Sequence, residues 1–159
     1  MAINGIYAGS FDPITNGHLD IIHRALKIFD TVYVSVIDNI EKDPLFSMDE
    51  RINLISNSIQ SDRIIVEGFQ GLLVDYARKK NIFNLIRGLR AVSDFEYEFQ
   101  MSLTNRSQDP RIDTVFLMTE QSYSYLSSSI VRQLAKLNGN ISDYVSDYVR
   151  IKLKEKFNG

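Results

Sequence analysis

Two kinds of segment alternate along the chain. Short runs rich in Val, Ile or Tyr, at Ile3–Ala8, Thr31–Ile37, Arg63–Glu67 and Asp113–Met118, read as strands, and Asn84–Arg87 joins them as a less β-branched fifth. Between them apolar residues recur at helical spacing. This predicts helices over about Gly17–Phe29, Met48–Gln60, Leu72–Lys80, Asp94–Ser107, Ser129–Leu137 and Ser142–Phe157. Ser47-x-x-Glu50 and Ser93-x-x-Glu96 have the form of capping boxes, in which serine and acid each satisfy an orphan N–H. Gly139 falls where a C′ residue ends a helix. Repeated strand–helix alternation predicts an α/β fold, a doubly wound five-stranded parallel sheet with helices on both faces. Ligands of such sheets bind outside the carboxyl ends of the strands. Chemistry is therefore expected on the loops after the strands and in the first turns of the helices that follow.

The chain has 159 residues and a mass of 18.3 kDa, the size of a single domain spanning 1–159. Its formal net charge of −2 argues against a nucleic-acid backbone as the main partner, since that binding needs concentrated positive charge. The absence of cysteine excludes disulfides, thiolate metal sites and cysteine nucleophiles. No basic-then-apolar leader opens the sequence, and no apolar run approaches the ~20 residues that cross a bilayer. The expectation is a soluble, cytoplasmic protein.

The loop after the first strand is Tyr7-Ala8-Gly9-Ser10-Phe11-Asp12-Pro13-Ile14-Thr15-Asn16-Gly17-His18. Gly9 and Gly17 permit positive φ or close approach, and Asp12-Pro13 signals a turn. The loop feeds a helix N-terminus, which attracts anions. It has neither the Walker A nor the dinucleotide-fingerprint spacing. On a helical wheel Ile22, Ala25 and Phe29 fall within ~40° of His18, whereas Asp20, His23, Arg24 and Lys27 take the opposite arc. Of the two histidines, His18 faces the sheet and His23 faces water. Asp20 and Arg24 are spaced for an i,i+4 pair. His18 reads either as a buried, hydrogen-bonded histidine or as a group aimed at a ligand.

Ile86-Arg87-Gly88-Leu89-Arg90 ends the fourth strand and places two guanidiniums beside a glycine where ligands bind. Arginine recognises phosphate in a planar, bidentate way. The alternative is that both pair with Asp94, Glu96 or Glu98 on the next helix, with Glu98 merely a surface carboxylate. Tyr123-Ser124-Tyr125-Leu126-Ser127-Ser128-Ser129 follows the fifth strand, and its hydroxyls can cap a helix or hold phosphate oxygens. Lys42 sits in a loop and Leu73 on a helix; residues alone make them a solvated charge and a core side chain.

Gly-Ser-Phe-Asp-Pro-Ile-Thr-Asn-Gly-His, ending at His18, resembles the [His/Thr]-x-Gly-His signature of the nucleotidyltransferase superfamily. Together with Ile86–Glu98 and Ser127–Arg132, it is similar to bacterial phosphopantetheine adenylyltransferase over essentially the whole chain. The resemblance implies a Rossmann-like fold, ATP and 4′-phosphopantetheine as substrates, and dephospho-CoA and pyrophosphate as products. It implies Mg²⁺ carried on the ATP phosphates, a homohexamer, and coenzyme A as a feedback inhibitor. It makes His18 the transition-state stabiliser and Lys42 a second catalytic residue at the reacting phosphate, and puts Ser10, Lys42, Leu73 and Arg87 at the phosphopantetheine. It puts Ser10, Phe11, His18, Gly88, Leu89, Arg90, Glu98 and the Tyr123–Ser129 run at ATP. Thr15 opens the signature where many relatives have histidine, which leaves charge stabilisation mainly to His18. Ala8 replaces a common proline, and Ser10 stands where threonine is also common.

These residues supply cations, hydroxyls and helix N-termini, without a serine triad or an obvious general base. That inventory suits a nucleophile that is already an anion, such as a phosphate monoester, with catalysis by alignment and charge stabilisation. Rival readings are transfer to another acceptor, a nucleotide-binding module without turnover, or a partner-binding domain.

Overall fold

The computed structural model describes residues 1–38 and 43–159. Five strands, β1 (Asn4–Gly9), β2 (Thr31–Ile37), β3 (Ile64–Phe69), β4 (Asn84–Leu89) and β5 (Asp113–Met118), alternate with helices α1 (Asn16–Ala25), α2 (Met48–Ser58), α3 (Leu73–Lys80) and α4 (Val92–Gln108). A short 3₁₀ turn (Gln121–Tyr123), α5 (Ser128–Lys136) and α6 (Asp147–Asn158) complete the chain. The sheet order is β3-β2-β1-β4-β5, and every pairing is parallel. The order reverses between β1 and β4, opening a crevice at their carboxyl ends. This is the expected Rossmann-like architecture.

Successive strand residues face opposite sides, so β1 feeds two cores. Tyr7 joins the face covered by α1, α2, α5 and α6, with Ile22, Val34, Ile55, Val131 and Leu153. Ile6 and Ala8 join the other face, under α3, with Val74, Ala77 and Leu85. The long α4 packs more loosely, leaving Val92, Phe99 and Leu103 exposed.

The capping box at Ser47 and Glu50 forms as expected, with Ser47 N–H on Glu50 Oε2 at 2.7 Å and Glu50 N–H on Ser47 Oγ at 3.2 Å. Ser93, expected as the N-cap of the next box, lies inside its helix instead. α4 starts earlier, at Val92, after an Ala91 N-cap without a side-chain bond. The Asp94 carboxylate turns back instead to the Arg90 N–H and Nε. α1 ends at Ala25, not Phe29, because the chain tightens there: the N–H groups of Ile28 and Phe29 share the Ala25 carbonyl, which tucks Phe29 into the core. α6 begins at Asp147, not Ser142. Ser146 caps it, while Ser142 donates to Asn140 Oδ1. At the end of α5 the left-handed residue is Asn138, at φ 58°, and Gly139 follows it with its N–H on the Leu134 carbonyl at 2.8 Å.

Candidate active site

A cleft of about 820 Å³ opens at the carboxyl ends of β1 and β4. It is built by the β1–α1 loop, the end of β4, the first half of α4 and the start of α5. Of the predicted site residues it gathers Ser10, Phe11, His18, Arg87, Gly88 and Arg90, and also Glu98, Tyr123, Leu126 and the three serines Ser127–Ser129. Lys42 lies outside the described residues. Leu73, Leu89, Ser124 and Tyr125 do not line the cleft. Leu73 packs half-buried against the α3-side core. The Leu89 carbonyl accepts from the Thr119 N–H and hydroxyl. Ser124 ends the 3₁₀ turn, and Tyr125 is exposed, its ring edge-on to Tyr144.

His18 is fixed by its own helix terminus. Thr15 is the N-cap of α1, and His18 occupies the third helical position. Thr15 N–H donates to His18 Nδ1 at 3.0 Å, and the Thr15 hydroxyl lies 3.1 Å from the same nitrogen. A backbone N–H can only donate, so Nδ1 is unprotonated and the ring proton sits on Nε2. This is a capping box with histidine in the place usually held by Glu or Gln. Burial lowers the His18 pKa from 6.5 to about 4, and the Arg90 and Arg87 cations push it the same way. At neutral pH the imidazole is uncharged, half-buried, and able to offer Nε2–H to a ligand. His23 is exposed, as its place on the wheel predicts.

Phe11 holds the ring from the side. Its edge meets the imidazole with centroids 5.1 Å apart at 80°. To reach that place Phe11 adopts φ 47°, a left-handed conformation that costs a non-glycine residue ~1–3 kcal/mol. A Cβ at Gly9 would stand 3.1 Å from the Phe11 ring, so glycine lets backbone and ring approach closely and a larger residue would push the ring by a few tenths of an ångström. Of the two roles open to the loop glycines, close approach is found at Gly9, whereas the positive φ falls on Phe11 and Gly17 has only ordinary contacts around an added Cβ.

The arginines of the β4 end are paired. Arg87 donates to both Glu98 oxygens at 2.7 Å and to the Ala8 carbonyl at 2.8 Å. Burial works against its cation, but Glu98 more than offsets this and the pKa rises. Arg90 donates to Asp94 at 3.1 Å and to the Leu126 carbonyl at 2.8 Å, which ties the β4 end to the start of α5. The pairing that sequence offered as an alternative is therefore the arrangement of the free protein. The three serines also have protein partners. Ser127 caps α5 through the Ile130 N–H, Ser128 donates to the Pro13 carbonyl, and Ser129 accepts from Arg132.

Sequence reasoning passed over Asp12 and Arg51. The Asp12 carboxylate accepts the N–H groups of Leu45 and Phe46 at 2.9 and 3.0 Å, pinning the β2–α2 loop to the β1–α1 loop. Arg51 is 2% exposed and donates to the carbonyls of Ser10, Ile37 and Ser47. It shares one face of α2 with Leu54 and Ile55, and a charge centred in an apolar arc was the available signal. The described lining balances four arginines against four carboxylates. An anionic ligand is thus drawn by where the guanidiniums sit rather than by net charge.

A cytidylyltransferase-like family model matches residues 6–134. The chain is 52% identical over 156 residues to a phosphopantetheine adenylyltransferase of Dictyoglomus thermophilum, covering 98% of this chain and 95% of the relative. It is 55% identical over 153 residues to one of Alkaliphilus metalliredigens, covering 96% and 98%. Among solved structures it is similar to a bifunctional NMN adenylyltransferase/ADP ribose pyrophosphatase of Francisella tularensis, with a TM-score of 0.73 at 16% identity. That match covers all of this chain and 51% of the other, and it speaks for the fold alone.

Proposed function

The chain belongs to the phosphopantetheine adenylyltransferase family of coenzyme A biosynthesis, and we propose that its strand-tip cleft moves AMP from ATP onto 4′-phosphopantetheine, forming dephospho-CoA and pyrophosphate. The observation that carries this reading is His18, a neutral imidazole with Nδ1 occupied by Thr15 and Nε2–H left for a ligand. The acceptor's phosphate is already anionic at neutral pH, so no base has to activate it. One of its oxygens attacks the α-phosphorus in line. The new P–O bond forms as the bond to the β-phosphate breaks, and pyrophosphate leaves with the electron pair. No covalent enzyme intermediate is needed. His18 donates Nε2–H to the α-phosphate as negative charge crowds there.

Arg87, Ser10 and Lys42 orient the attacking phosphate in this reading, with the Arg87 guanidinium exchanging Glu98 for phosphate oxygens. Glu98, thus released, serves the nucleotide. Arg90 and the Ser127–Ser129 turn hold the β- and γ-phosphates at the start of α5, where the helix dipole favours anions. Phe11, Gly88, Tyr123 and Leu126 border the nucleotide; the family resemblance adds Leu89, Ser124 and Tyr125 there and Leu73 at the pantetheine arm, although none of these four lines the cleft of the free protein. Mg²⁺ enters as part of the nucleotide substrate and neutralises phosphate charge. The exposed apolar residues Val92, Phe99 and Leu103 of α4 suit burial against further copies of the chain, and the family resemblance supplies the number, a homohexamer. Coenzyme A, which contains both substrate halves, fits as a feedback inhibitor of this cytoplasmic step.

The test is pyrophosphate release from ATP with a panel of phosphorylated acceptors. Turnover is expected with 4′-phosphopantetheine. Turnover confined to a different acceptor, or ATP binding without turnover, would contradict the reading.

A further inference from the structure

Tyr7 is only 5% exposed, yet it lines the cleft. Its ring is fixed on two sides. Phe11 meets it edge-on with centroids 5.2 Å apart, and the His18 ring lies 6.5 Å away. Beside it in the sheet is β4, and the space over Gly88 is taken by Ile21: a Cβ built there would stand 3.0 Å from Ile21 Cγ1 and 3.9 Å from the Tyr7 hydroxyl oxygen, which sets that oxygen next to Gly88. Among the described residues that hydroxyl makes no hydrogen bond, and it is not one of the sealed polar atoms, which are Asn4 Oδ1 and Thr114 Oγ1. Buried tyrosine hydroxyls normally find a partner. Burial raises the phenol pKa far above its usual value, so the group stays an O–H donor. A rigid donor without a partner among the described residues, on a side chain that lines a polar cleft, is placed to meet a ligand.

We propose that Tyr7 is a nucleotide-binding residue, its hydroxyl donating a hydrogen bond to an acceptor atom of bound ATP. The inference rests on the reading of the cleft given above. It commits to the nucleotide because the hydroxyl lies beside Gly88 and its ring beside that of His18, two residues on the side assigned to ATP.

Tyr7→Phe removes the oxygen and keeps the ring. A hydroxyl that waits for ligand does not support the free fold, so the melting temperature of the unliganded variant should equal or exceed that of the parent. By calorimetric titration, Kd for ATP should rise about three- to tenfold, while Kd for 4′-phosphopantetheine changes by less than about twofold. A lower melting temperature with unchanged ATP affinity would make the hydroxyl structural and overturn the proposal. So would a loss confined to 4′-phosphopantetheine. If the parent protein itself fails to bind ATP, the functional reading falls with the proposal. If the parent binds and the variant binds equally well, only the role of Tyr7 falls.

Discussion

At the amino-terminal ends of the strands, Asp109 is 4% exposed and takes Arg78 Nε at 2.9 Å and Arg111 Nη2 at 2.7 Å. At the carboxyl-terminal ends, Glu98 takes two nitrogens of Arg87 at 2.7 Å. The two clusters use the same chemistry but end differently. Around Asp109 both guanidiniums are also spent on the scaffold. Arg78 reaches the Gln108 carbonyl and Asp75, and Arg111 stacks over the Phe83 ring at 4.1 Å. Those bonds hold the Asp109 carboxyl far below the usual carboxylate range and lock α3 to the turn between α4 and β5. Arg87, by contrast, borders an open cavity, where an incoming phosphate can replace a carboxylate on the same two N–H groups. A salt bridge is thus a rivet or an exchangeable contact according to what surrounds it.

The strongest way to probe this contrast leaves both ion pairs alone. His18→Ala should lower kcat by ~10²–10³ with little change in either substrate's Kd, because the lost donor acts on charge that develops only in the transition state. Steady-state kinetics beside calorimetric titration would show it, and a variant with near-normal kcat would remove His18 from the chemistry.

Arg87→Ala should weaken 4′-phosphopantetheine binding by ~10–100-fold while ATP affinity is largely kept. It also strands Glu98 as an unpaired, largely buried carboxylate and lowers the melting temperature. Adding Glu98→Gln should recover stability but not acceptor affinity. If the double variant recovers both, the pair is a rivet like the one around Asp109, and the comparison fails.

Asp109→Asn should do the reverse, lowering the thermal midpoint while kcat and both affinities stay as they were. The loss should shrink as pH falls. A carboxyl whose folded pKa is depressed stabilises above its unfolded pKa and loses that contribution as pH drops through the folded value. Thermal scans of the two proteins at several pH values would show it.

The strand–helix alternation carried the sheet, its parallel order and the end where ligands bind, since all follow from hydrophobic period and connection rules. His18 was legible too, because a wheel shows which arc faces the sheet. Its charge was not, since that depends on burial and on Thr15 turning its N–H back onto Nδ1, a box with histidine in the acid's place. Arg87 and Arg90 were legible as cations at the right strand end, with pairing to α4 carboxylates as one of two readings; which carboxylate takes which arginine was not, since α4 sets that by starting at Val92. Phe11 resisted for a different reason: its positive φ is imposed by packing against Gly9 and His18 rather than by its own preference. Leu73 carried no positional signal at all, and the fold sets it against the α3-side core.

A neutral, Nε2-protonated His18 at the mouth of the cleft is the claim on which the chemistry rests. Nitrogen-15 NMR of the imidazole across a pH titration reads its tautomer and its charge together. Nδ1 should remain an unprotonated acceptor and Nε2 the N–H through neutral pH, with the ring gaining its second proton only near about 4. A midpoint at the ordinary 6.5 or above, or the proton on Nδ1, would contradict the account.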